Sequence, residues 1–267
     1  MTQAEQIEKF RERVWQYYIA NGRDLPWRSR VTPYGVYISE IMLQQTQVSR
    51  VRDFYSRWLA RFPDWRMLAG ASPADVIKQW QGLGYNRRAL WILEGARRVV
   101  NDLGGNLPET VAELQALPGI GPNTAASIYV FAYDRPATFI ETNIRRVFLH
   151  EFFPGEESVP DSRLVPLIAA ATDQVRPREW YWALMDYGAD LAKRIPNPNR
   201  KSKHYAVQSK FRGSVRQIRG EVLRQLVKGP ISVDVLTRID PRAQTVLENL
   251  RAEGFIVESQ GVYALRR

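Results

Sequence analysis

The chain has 267 residues, of which 45% are apolar, and its 38 Lys and Arg outnumber its 28 Asp and Glu. Because it contains no cysteine, disulfides, thiolate nucleophiles, zinc ribbons and iron–sulfur clusters are excluded. Its two histidines, His150 and His204, are too far apart in sequence to favour a His-rich metal site. A protein this basic usually binds nucleic acid; the alternative is a basic housekeeping protein without such a partner.

The N-terminal segment alternates charged with apolar residues and predicts an amphipathic helix, not a signal peptide or a membrane span. We therefore expect a cytoplasmic, nucleoid-associated monomer with no membrane partner. Helical periodicity continues to about residue 190, with Gly or Pro at the breaks, so this part is predicted to be all-α. The predicted helices cover residues 7–18, 36–62, 73–79, 89–103, 109–117, 124–132, 142–152 and 163–175.

A first candidate for acid–base chemistry follows Pro33, which suits the first turn of a helix because it lacks an N–H. Glu40 and Gln44 are four residues apart and share one helical face. Apolar neighbours are expected to raise the pKa of Glu40, so that it can donate a proton to a base nitrogen. A surface glutamate in a helix is the ordinary alternative. The polar run QQTQ from Gln44 could fill the gap left by a flipped base.

The segment LQALPGIGPNTAA predicts two helices joined by a tight turn at residues 118–121. Gly119 and Gly121 permit positive φ and the close approach of another backbone. The N–H groups of this tight turn face outward and can hold a phosphate. Those in the first turn of the second helix, which contains Asn123 and Thr124, can contribute as well. The pattern indicates a helix-hairpin-helix, although a plain αα-hairpin has the same features.

A second carboxylate, Glu141, follows an apolar run and directly precedes a helix that starts at Thr142. In the simplest interpretation its charge stabilises the helix dipole, by roughly 0.3–1 kcal/mol. In the functional interpretation it lies beside the sugar of an extruded nucleotide, where it stabilises the positive charge that develops as the base leaves and orients the attacking water. The dipole is expected to keep Glu141 ionised.

The C-terminal part changes in character. Residues 193–219 carry nine Lys and Arg and no acidic residue, which predicts an irregular basic linker that is either solvated or bound to DNA phosphates through Lys201, Lys203 and Lys210. Predicted helices at 217–227, 233–238 and 241–253 and strands at 255–258 and 262–265 then indicate a winged helix-turn-helix that contacts DNA or protein. The predicted division is a helix-hairpin-helix domain (1–192), a basic linker (193–216) and a winged-helix domain (217–267).

Six motifs occur in order within residues 10–192: LPWR (25–28), PYGVYISEIMLQQTQV (33–48), WQGLGYNRRA (80–89), LPGIGPNTAASI (117–128), ETNIRRV (141–147) and ALMDYGA (183–189). Together they resemble the MutY-type adenine DNA glycosylases of the endonuclease III, or helix-hairpin-helix, superfamily. The resemblance implies a two-lobed all-α fold whose partner is double-stranded DNA with a mispaired or damaged base. It also implies base excision repair, in which adenine opposite guanine or oxidised guanine is flipped out and removed.

The same resemblance assigns roles by position. Glu40 corresponds to the family's general acid at the adenine ring, and Glu141 occupies the place of its catalytic aspartate. Gly119 and Gly121 correspond to the hairpin that grips phosphate. The remaining matches contact the base pocket or the damaged pair: Arg28, Gln44, Gln45 (which wedges into the base stack) and Tyr85.

Three departures from the family pattern bear on function. Glu141 is one methylene longer than the usual aspartate. The four cysteines that bind an iron–sulfur cluster after ALMDYGA are absent, so we expect no cluster and no other cofactor. The C-terminal part does not resemble the family's domain for oxidised guanine. In addition, bifunctional relatives have a lysine where this chain has Asn123, so a monofunctional enzyme that uses water, without strong lyase activity, is expected.

Three hypotheses remain open from the sequence. The first is an adenine mismatch glycosylase, supported by the intact SEIMLQQTQV motif. The second keeps the fold but removes uracil or thymine opposite guanine, which the altered residue at 141 and the different C-terminal part allow. The third is a non-enzymatic DNA-binding protein, which would have no need for both Glu40 and Glu141.

Overall fold

The computed structural model describes residues 2–267 and is mostly helical, as the periodicity predicts. Its α-helices are α1 (Gln3–Asn21), α2 (Pro26–Ser29), α3 (Pro33–Leu43), α4 (Val48–Arg61), α5 (Trp65–Ala69), α6 (Pro73–Trp80), α7 (Arg87–Asp102), α8 (Val111–Gln115), α9 (Pro122–Tyr133), α10 (Thr142–Phe152), α11 (Asp161–Ala171), α12 (Pro177–Arg194), α13 (Val215–Lys228), α14 (Val233–Ile239) and α15 (Ala243–Ala252). Across the described residues, no helix combines the length and apolar character needed to span a membrane.

Three short strands complete the C-terminal part: β1 (Ile231–Ser232), β2 (Ile256–Ser259) and β3 (Val262–Leu265). They form one antiparallel sheet in the order β1-β3-β2, with Ser259 opposite Val262 at the hairpin. An all-α fold with a small α+β C-terminal part is therefore confirmed. The sequence predicted β2 and β3 but missed β1, because a strand of two residues is too short to show alternation.

The chain divides into two compact units. Unit 1 contains the residues up to Tyr37 together with Pro108–Ala116 and Ile120–Val207. Its core lies where α1, α10 and α12 pack together. Phe10 of α1 makes edge contacts with Phe148 and Trp180, at ring-centroid distances of 5.2 and 6.0 Å. This core fixes α10, whose N-terminus carries Glu141.

Unit 2 contains Ile38–Leu107, Leu117–Gly119 and Gln208–Arg267. Trp58 of α4 and Trp80 of α6 are fully buried and meet edge to face at 5.5 Å. The helices of the C-terminal part share a hydrophobic core with α6 of this unit, through Ile77, Ile218 and Leu247. Whether residues 217–267 form an independent domain stays a prediction.

The single helix predicted over residues 36–62 is wrong. α3 ends at Leu43 and α4 begins at Val48, and between them Gln45 adopts a left-handed backbone conformation with φ of 54°. Apolar spacing continues through this break, so the sequence pattern cannot reveal it. The break is stabilised by a side chain from another helix, Arg88, described below.

α12 is an 18-residue helix that contains the ALMDYGA motif, in agreement with the all-α character predicted for residues up to about 190. One further feature differs from the sequence prediction. The basic linker is partly ordered, because a 3₁₀ helix covers Pro198–Lys201 and Ser202 forms a bridge with Val159. Asn199 is buried, and its amide donates to the Thr142 carbonyl at 3.1 Å.

Candidate active site and DNA interface

Glu141 is the N-cap of α10, and its own side chain satisfies the first free amides of that helix. Its Oε1 accepts hydrogen bonds from the backbone N–H groups of Asn143 (2.8 Å) and Ile144 (3.0 Å). Oε2 receives only a long bond, 3.4 Å, from Asn143 Nδ2. Glu141 is half-buried. One oxygen of its carboxylate is thus held by two backbone amides of the helix, while the other oxygen has only the long bond.

Burial raises the pKa of Glu141, and the N–H donors of Asn143 and Ile144 together with the nearby charge of Arg146 offset this only in part. The helix dipole alone predicts the opposite direction. Desolvation outweighs it, because a carboxylate loses more solvation on burial than these donors return. That Glu141 is ionised at neutral pH stays a prediction.

Residues on α10 and α12 hold Glu141 in place. Arg146 is buried, and its Nη1 donates to Asn143 Oδ1 (2.6 Å) and to the Gly188 carbonyl (2.8 Å). Burial lowers the pKa of Arg146, and Glu141 acts in the opposite direction. A Cβ at Gly188 would lie 2.5 Å from the Asn143 carbonyl oxygen, so only glycine permits this approach of α12 to α10.

The hairpin sequence forms the predicted helix–turn–helix, with α8 before the turn and α9 after it. Gly119 has a φ of 73°, and a Cβ there would collide with the indole of Trp91. Gly121, in contrast, has a φ of −84° and is the N-cap of α9, so it does not use the positive φ that glycine permits. A Cβ at Gly121 would meet open space.

Asn123 and Thr124 lie in the first turn of α9. Asn123 Oδ1 accepts a hydrogen bond from the backbone N–H of Ile140 at 3.1 Å. Because Ile140 directly precedes Glu141, this bond ties the hairpin helix to the segment that carries the candidate catalytic carboxylate. Thr124 is half-buried, and its carbonyl accepts from Ser127 Oγ at 3.0 Å. Contact of either residue with phosphate stays a prediction.

The turn between α3 and α4 presents Gln44 and Gln45 differently. Gln44 Nε2 donates to the Gly119 carbonyl at 3.2 Å, which links this turn to the hairpin turn. Gln45 is exposed. A wedge residue must be exposed, as Gln45 is, whereas Gln44 has a structural contact. The wedge role of Gln45 and contact of Gln44 with the base pocket stay predictions.

Arg88 of α7 is a site residue that the sequence analysis missed. Its guanidinium is almost fully buried and donates to the carbonyls of Ile41 (2.7 Å), Met42 (2.9 Å) and Gln44 (2.7 Å). It therefore caps the C-terminal end of α3, whose carbonyls lack helical partners. Burial lowers the pKa of Arg88 to about 10, which leaves it charged at neutral pH. Only its place inside the WQGLGYNRRA motif could have indicated this role.

Arg88 also supports the loop that contains Tyr85. Its Nη2 donates to the Gly84 carbonyl at 3.1 Å, and its guanidinium carbon lies 5.3 Å from the centre of the Tyr85 ring. Tyr85 has a φ of 49° and is 37% exposed, and its hydroxyl accepts a hydrogen bond from Gln208 Nε2. One buried arginine thus organises both segments of unit 2 that are predicted to contact the damaged pair.

Glu40 is half-buried on α3. Its chain neighbours Ser39 and Ile41 are buried. Glu40 belongs to unit 2 and Glu141 to unit 1. The roles of general acid and of charge stabiliser stay predictions for these residues.

Arg28 has a defined structural partner. Its two terminal nitrogens each donate at 2.8 Å to the carboxylate of Asp186, which is buried in α12. Arg23 donates to the same carboxylate through its Nε at 2.7 Å. Burial acts to raise the pKa of Asp186, but the bonds and charges of Arg28 and Arg23 outweigh it and the pKa is lowered. Arg28 therefore supports unit 1 from within, and its contact with a base stays a prediction.

The three linker lysines differ from one another. Lys201 is half-buried and donates through Nζ to the Phe153 carbonyl at 3.2 Å. Lys203 and Lys210 are exposed. Lys203 and Lys210 are thus the better candidates for phosphate contacts, while Lys201 also stabilises the fold.

The residues present do not fit the family's iron–sulfur cluster. The chain has no cysteine, and among residues 2–267 no group of three or more His, Asp or Glu side chains could hold a metal ion. The segment after α12, where the family has its cluster, forms the 3₁₀ helix, and the side-chain amide of Asn199 in this helix bonds to the Thr142 carbonyl of α10.

Comparison with known proteins gives a consistent result. Residues 38–163 match the model of the HhH-GPD superfamily of base excision DNA repair proteins. An adenine DNA glycosylase of Rattus norvegicus is 37% identical over 229 residues, covering 81% of this chain and 44% of the relative. An adenine DNA glycosylase of Mycolicibacterium smegmatis is 31% identical over 268 residues, covering 91% of each. The chain thus spans less than half the length of the rat relative.

Solved structures share the fold. A thermostable thymine-DNA glycosylase matches with a TM-score of 0.63 and 25% identity, over 74% of this chain and 91% of that one. Endonuclease III in a trapped covalent complex with DNA matches with a TM-score of 0.57 and 16% identity, over 83% and 99%. The resemblance drawn from the six motifs is confirmed. The chain belongs to the adenine DNA glycosylase family within the HhH-GPD superfamily of base excision DNA repair proteins.

Proposed function

We propose that the protein is a monofunctional DNA glycosylase that flips adenine, mispaired with guanine or oxidised guanine, out of duplex DNA and hydrolyses its N-glycosidic bond. The observation that carries the proposal is the carboxylate of Glu141, held by two backbone N–H groups at the start of α10, in a chain whose relatives are named adenine DNA glycosylases. Its substrate is double-stranded DNA, consistent with the excess of ten positive charges.

The two carboxylates act on different parts of the nucleotide in this mechanism. As the base leaves, positive charge develops on the sugar, and Glu141 stabilises it through Oε2, the oxygen with the weaker hydrogen bond. The same carboxylate orients the attacking water. Glu40 donates a proton to the adenine ring, which makes the base a better leaving group. Because Oε1 is fixed by the helix, Glu141 needs no reorganisation as the charge forms.

Asn123 makes a Schiff-base mechanism impossible at its position, since an amide is not an amine nucleophile. We expect the product to be an abasic site that breaks only after alkali. Incubation of enzyme and substrate with borohydride should trap no covalent complex. A trapped complex would show that another lysine attacks the sugar and would contradict the monofunctional assignment.

A second candidate, removal of thymine or uracil opposite guanine, is favoured by the 25% identity to a thymine-DNA glycosylase. A panel of end-labelled duplexes separates the two. It should contain A·G, A·8-oxoguanine, T·G and U·G pairs and a fully paired control, under single-turnover conditions. We expect excision of adenine only. Excision of T or U would establish the second candidate, and binding without excision of any base would favour a non-enzymatic DNA-binding protein.

A further inference from the structure

An exposed aromatic side chain lies between two cations at residues 209–213, here called the Phe211 turn. Phe211 is 61% exposed, and Lys210 and Arg212 on either side are also exposed. Within residues 2–267, neither Lys210 nor Arg212 forms a salt bridge. No acidic residue occurs between Lys193 and Arg219 to neutralise them. The turn therefore combines an apolar contact surface with uncompensated positive charge.

The Phe211 turn is held by specific hydrogen bonds. Arg216 Nη2 donates to the Ser209 carbonyl at 2.7 Å, and Ser214 Oγ donates to the Phe211 carbonyl at 2.6 Å. Arg242 Nη1 donates to the Gly213 carbonyl at 3.1 Å. These bonds fix the backbone while the aromatic ring stays outside the core. Such an arrangement reduces the conformational entropy that a binding partner would have to remove from Phe211.

The turn lies close to the loop that is predicted to contact the damaged base pair. Gln208, which directly precedes the turn, donates to the Tyr85 hydroxyl within unit 2. Three residues of extended chain span about 11 Å at most, so Phe211 lies within that distance of Gln208 along the chain. A duplex that contacts Tyr85 would therefore also be within reach of Phe211.

We propose that the Phe211 turn is a further DNA-contact element, in which Phe211 stacks on a base face exposed by flipping and Lys210 and Arg212 bind flanking phosphates. Extrusion of a nucleotide leaves the faces of its neighbours exposed, and aromatic side chains beside cations bind such faces without sequence preference. The uncompensated positive charge favours DNA over a protein partner. The inference rests on the proposed function only in taking duplex DNA as the ligand.

Equilibrium binding of the full chain to a duplex with an A·G mispair tests this proposal. Phe211→Ala should weaken binding on the order of 10-fold, with an unchanged salt dependence. The double variant Lys210→Ala/Arg212→Ala should reduce the slope of log K against log salt by about two. Val207→Ala is the matched control, because Val207 is 80% exposed in the same segment but is not aromatic, and it should bind as the wild type does.

A fluorescent 2-aminopurine beside the mispair reports stacking directly. Its emission should change when wild type binds and remain near the free-DNA value with Phe211→Ala at saturation. The proposal would be overturned if Phe211→Ala had the affinity and the emission of the wild type. It would also be overturned if the wild type were a dimer and Phe211→Ala a monomer, because Phe211 would then join two copies of the chain. If no mispair is excised but Phe211→Ala still loses affinity, only the proposed function fails.

Discussion

The N-terminus of α10 and the turn between α3 and α4 both present polar groups where helical structure is interrupted, but they are stabilised in different ways. Glu141 accepts from amides two and three residues further along the chain. The turn at Gln44 and Gln45 depends on Arg88, which is 44 residues from the Gln44 carbonyl that it binds. The carboxylate of the first site is held by local contacts, whereas the second site combines local bonds with the tertiary bonds of Arg88.

This difference has a functional consequence. A helix N-terminus positions a carboxylate through its own backbone, so the candidate chemical group stays in place as long as α10 is intact. The turn at Gln44 and Gln45 has longer local bonds, such as the one from the Thr46 N–H to the Leu43 carbonyl at 3.2 Å, and needs the donors of Arg88 in addition. The Gln44–Gln45 turn and the Tyr85 loop, both predicted to contact DNA, share one buried guanidinium, so we expect one substitution at Arg88 to disturb both segments.

The largest effect is expected at Glu141. Glu141→Gln can still accept the bonds of Asn143 and Ile144 but lacks negative charge, so excision should fall by a factor of roughly 10³ or more with DNA affinity nearly unchanged. Single-turnover excision and equilibrium binding measure the two quantities. Glu151→Gln is the matched control, since Glu151 lies on the same helix and contacts Arg13 and Tyr187. Full activity in Glu141→Gln would show that this carboxylate is only a helix cap.

Glu141→Asp keeps the negative charge but shortens the side chain, so it separates the effect of side-chain length from that of charge. Aspartate restores the residue type usual in the family but withdraws the carboxylate by one methylene. If the neighbouring residues are adapted to the longer side chain, the shorter one lies too far from the sugar, and excision should fall on the order of 10- to 100-fold. Wild-type rates in this variant would show that the extra methylene has no role in positioning.

Arg88→Met tests whether Arg88 supports the turn between α3 and α4. It leaves the Met42 carbonyl without a donor, whereas the carbonyls of Ile41 and Gln44 keep the Gln44 N–H and the Thr46 hydroxyl. An unsatisfied buried acceptor costs about 1–3 kcal/mol and the lost bonds to a charged donor add to it, so we expect a loss of about 3 kcal/mol in the free energy of unfolding. Arg87→Met is the control, because the adjacent Arg87 is exposed and its ion pair with Glu253 should contribute at most about 1 kcal/mol. Urea titration measures both. Similar losses in the two variants would show that Arg88 does not support the turn.

The sequence predicted the two sites unequally for the same physical reason. The helix start at Glu141 and the hairpin at Gly119 follow from residues within one turn of each other. The break at Gln45, the ion pair of Arg28 with Asp186 and the role of Arg88 depend on partners 40 or more residues away. Apolar spacing records which face of a helix is buried, but not which side chain of another helix binds its last carbonyls. The motif resemblance located these residues without indicating their contacts.

The next prediction concerns Asp186, a buried carboxylate in the same unit as Glu141, and its contribution to the free energy of unfolding. Asp186→Asn should lower the free energy of unfolding by about 3 kcal/mol at neutral pH, because Arg28 loses a buried partner. The pKa of Asp186 is lowered by folding, so its contribution is complete above the unfolded value near 3.8 and is lost as pH falls through the folded value. The difference between wild type and variant should therefore shrink below about pH 4. A difference independent of pH would exclude the charge as its cause.

The smallest effects are expected for the linker lysines, and they should differ in kind. Lys203→Ala and Lys210→Ala remove exposed cations, so each should weaken binding to all duplexes equally and reduce the salt slope by about 0.9 if it contacts one phosphate. Lys201 already donates to the Phe153 carbonyl. Lys201→Ala should therefore change the salt slope less and lower the free energy of unfolding by about 1 kcal/mol instead.

Titrations at several salt concentrations, with urea unfolding in parallel, separate these outcomes. Equal slopes for all three variants would show that Lys201 binds DNA despite its intramolecular bond, and unchanged slopes would show that the linker is only solvated.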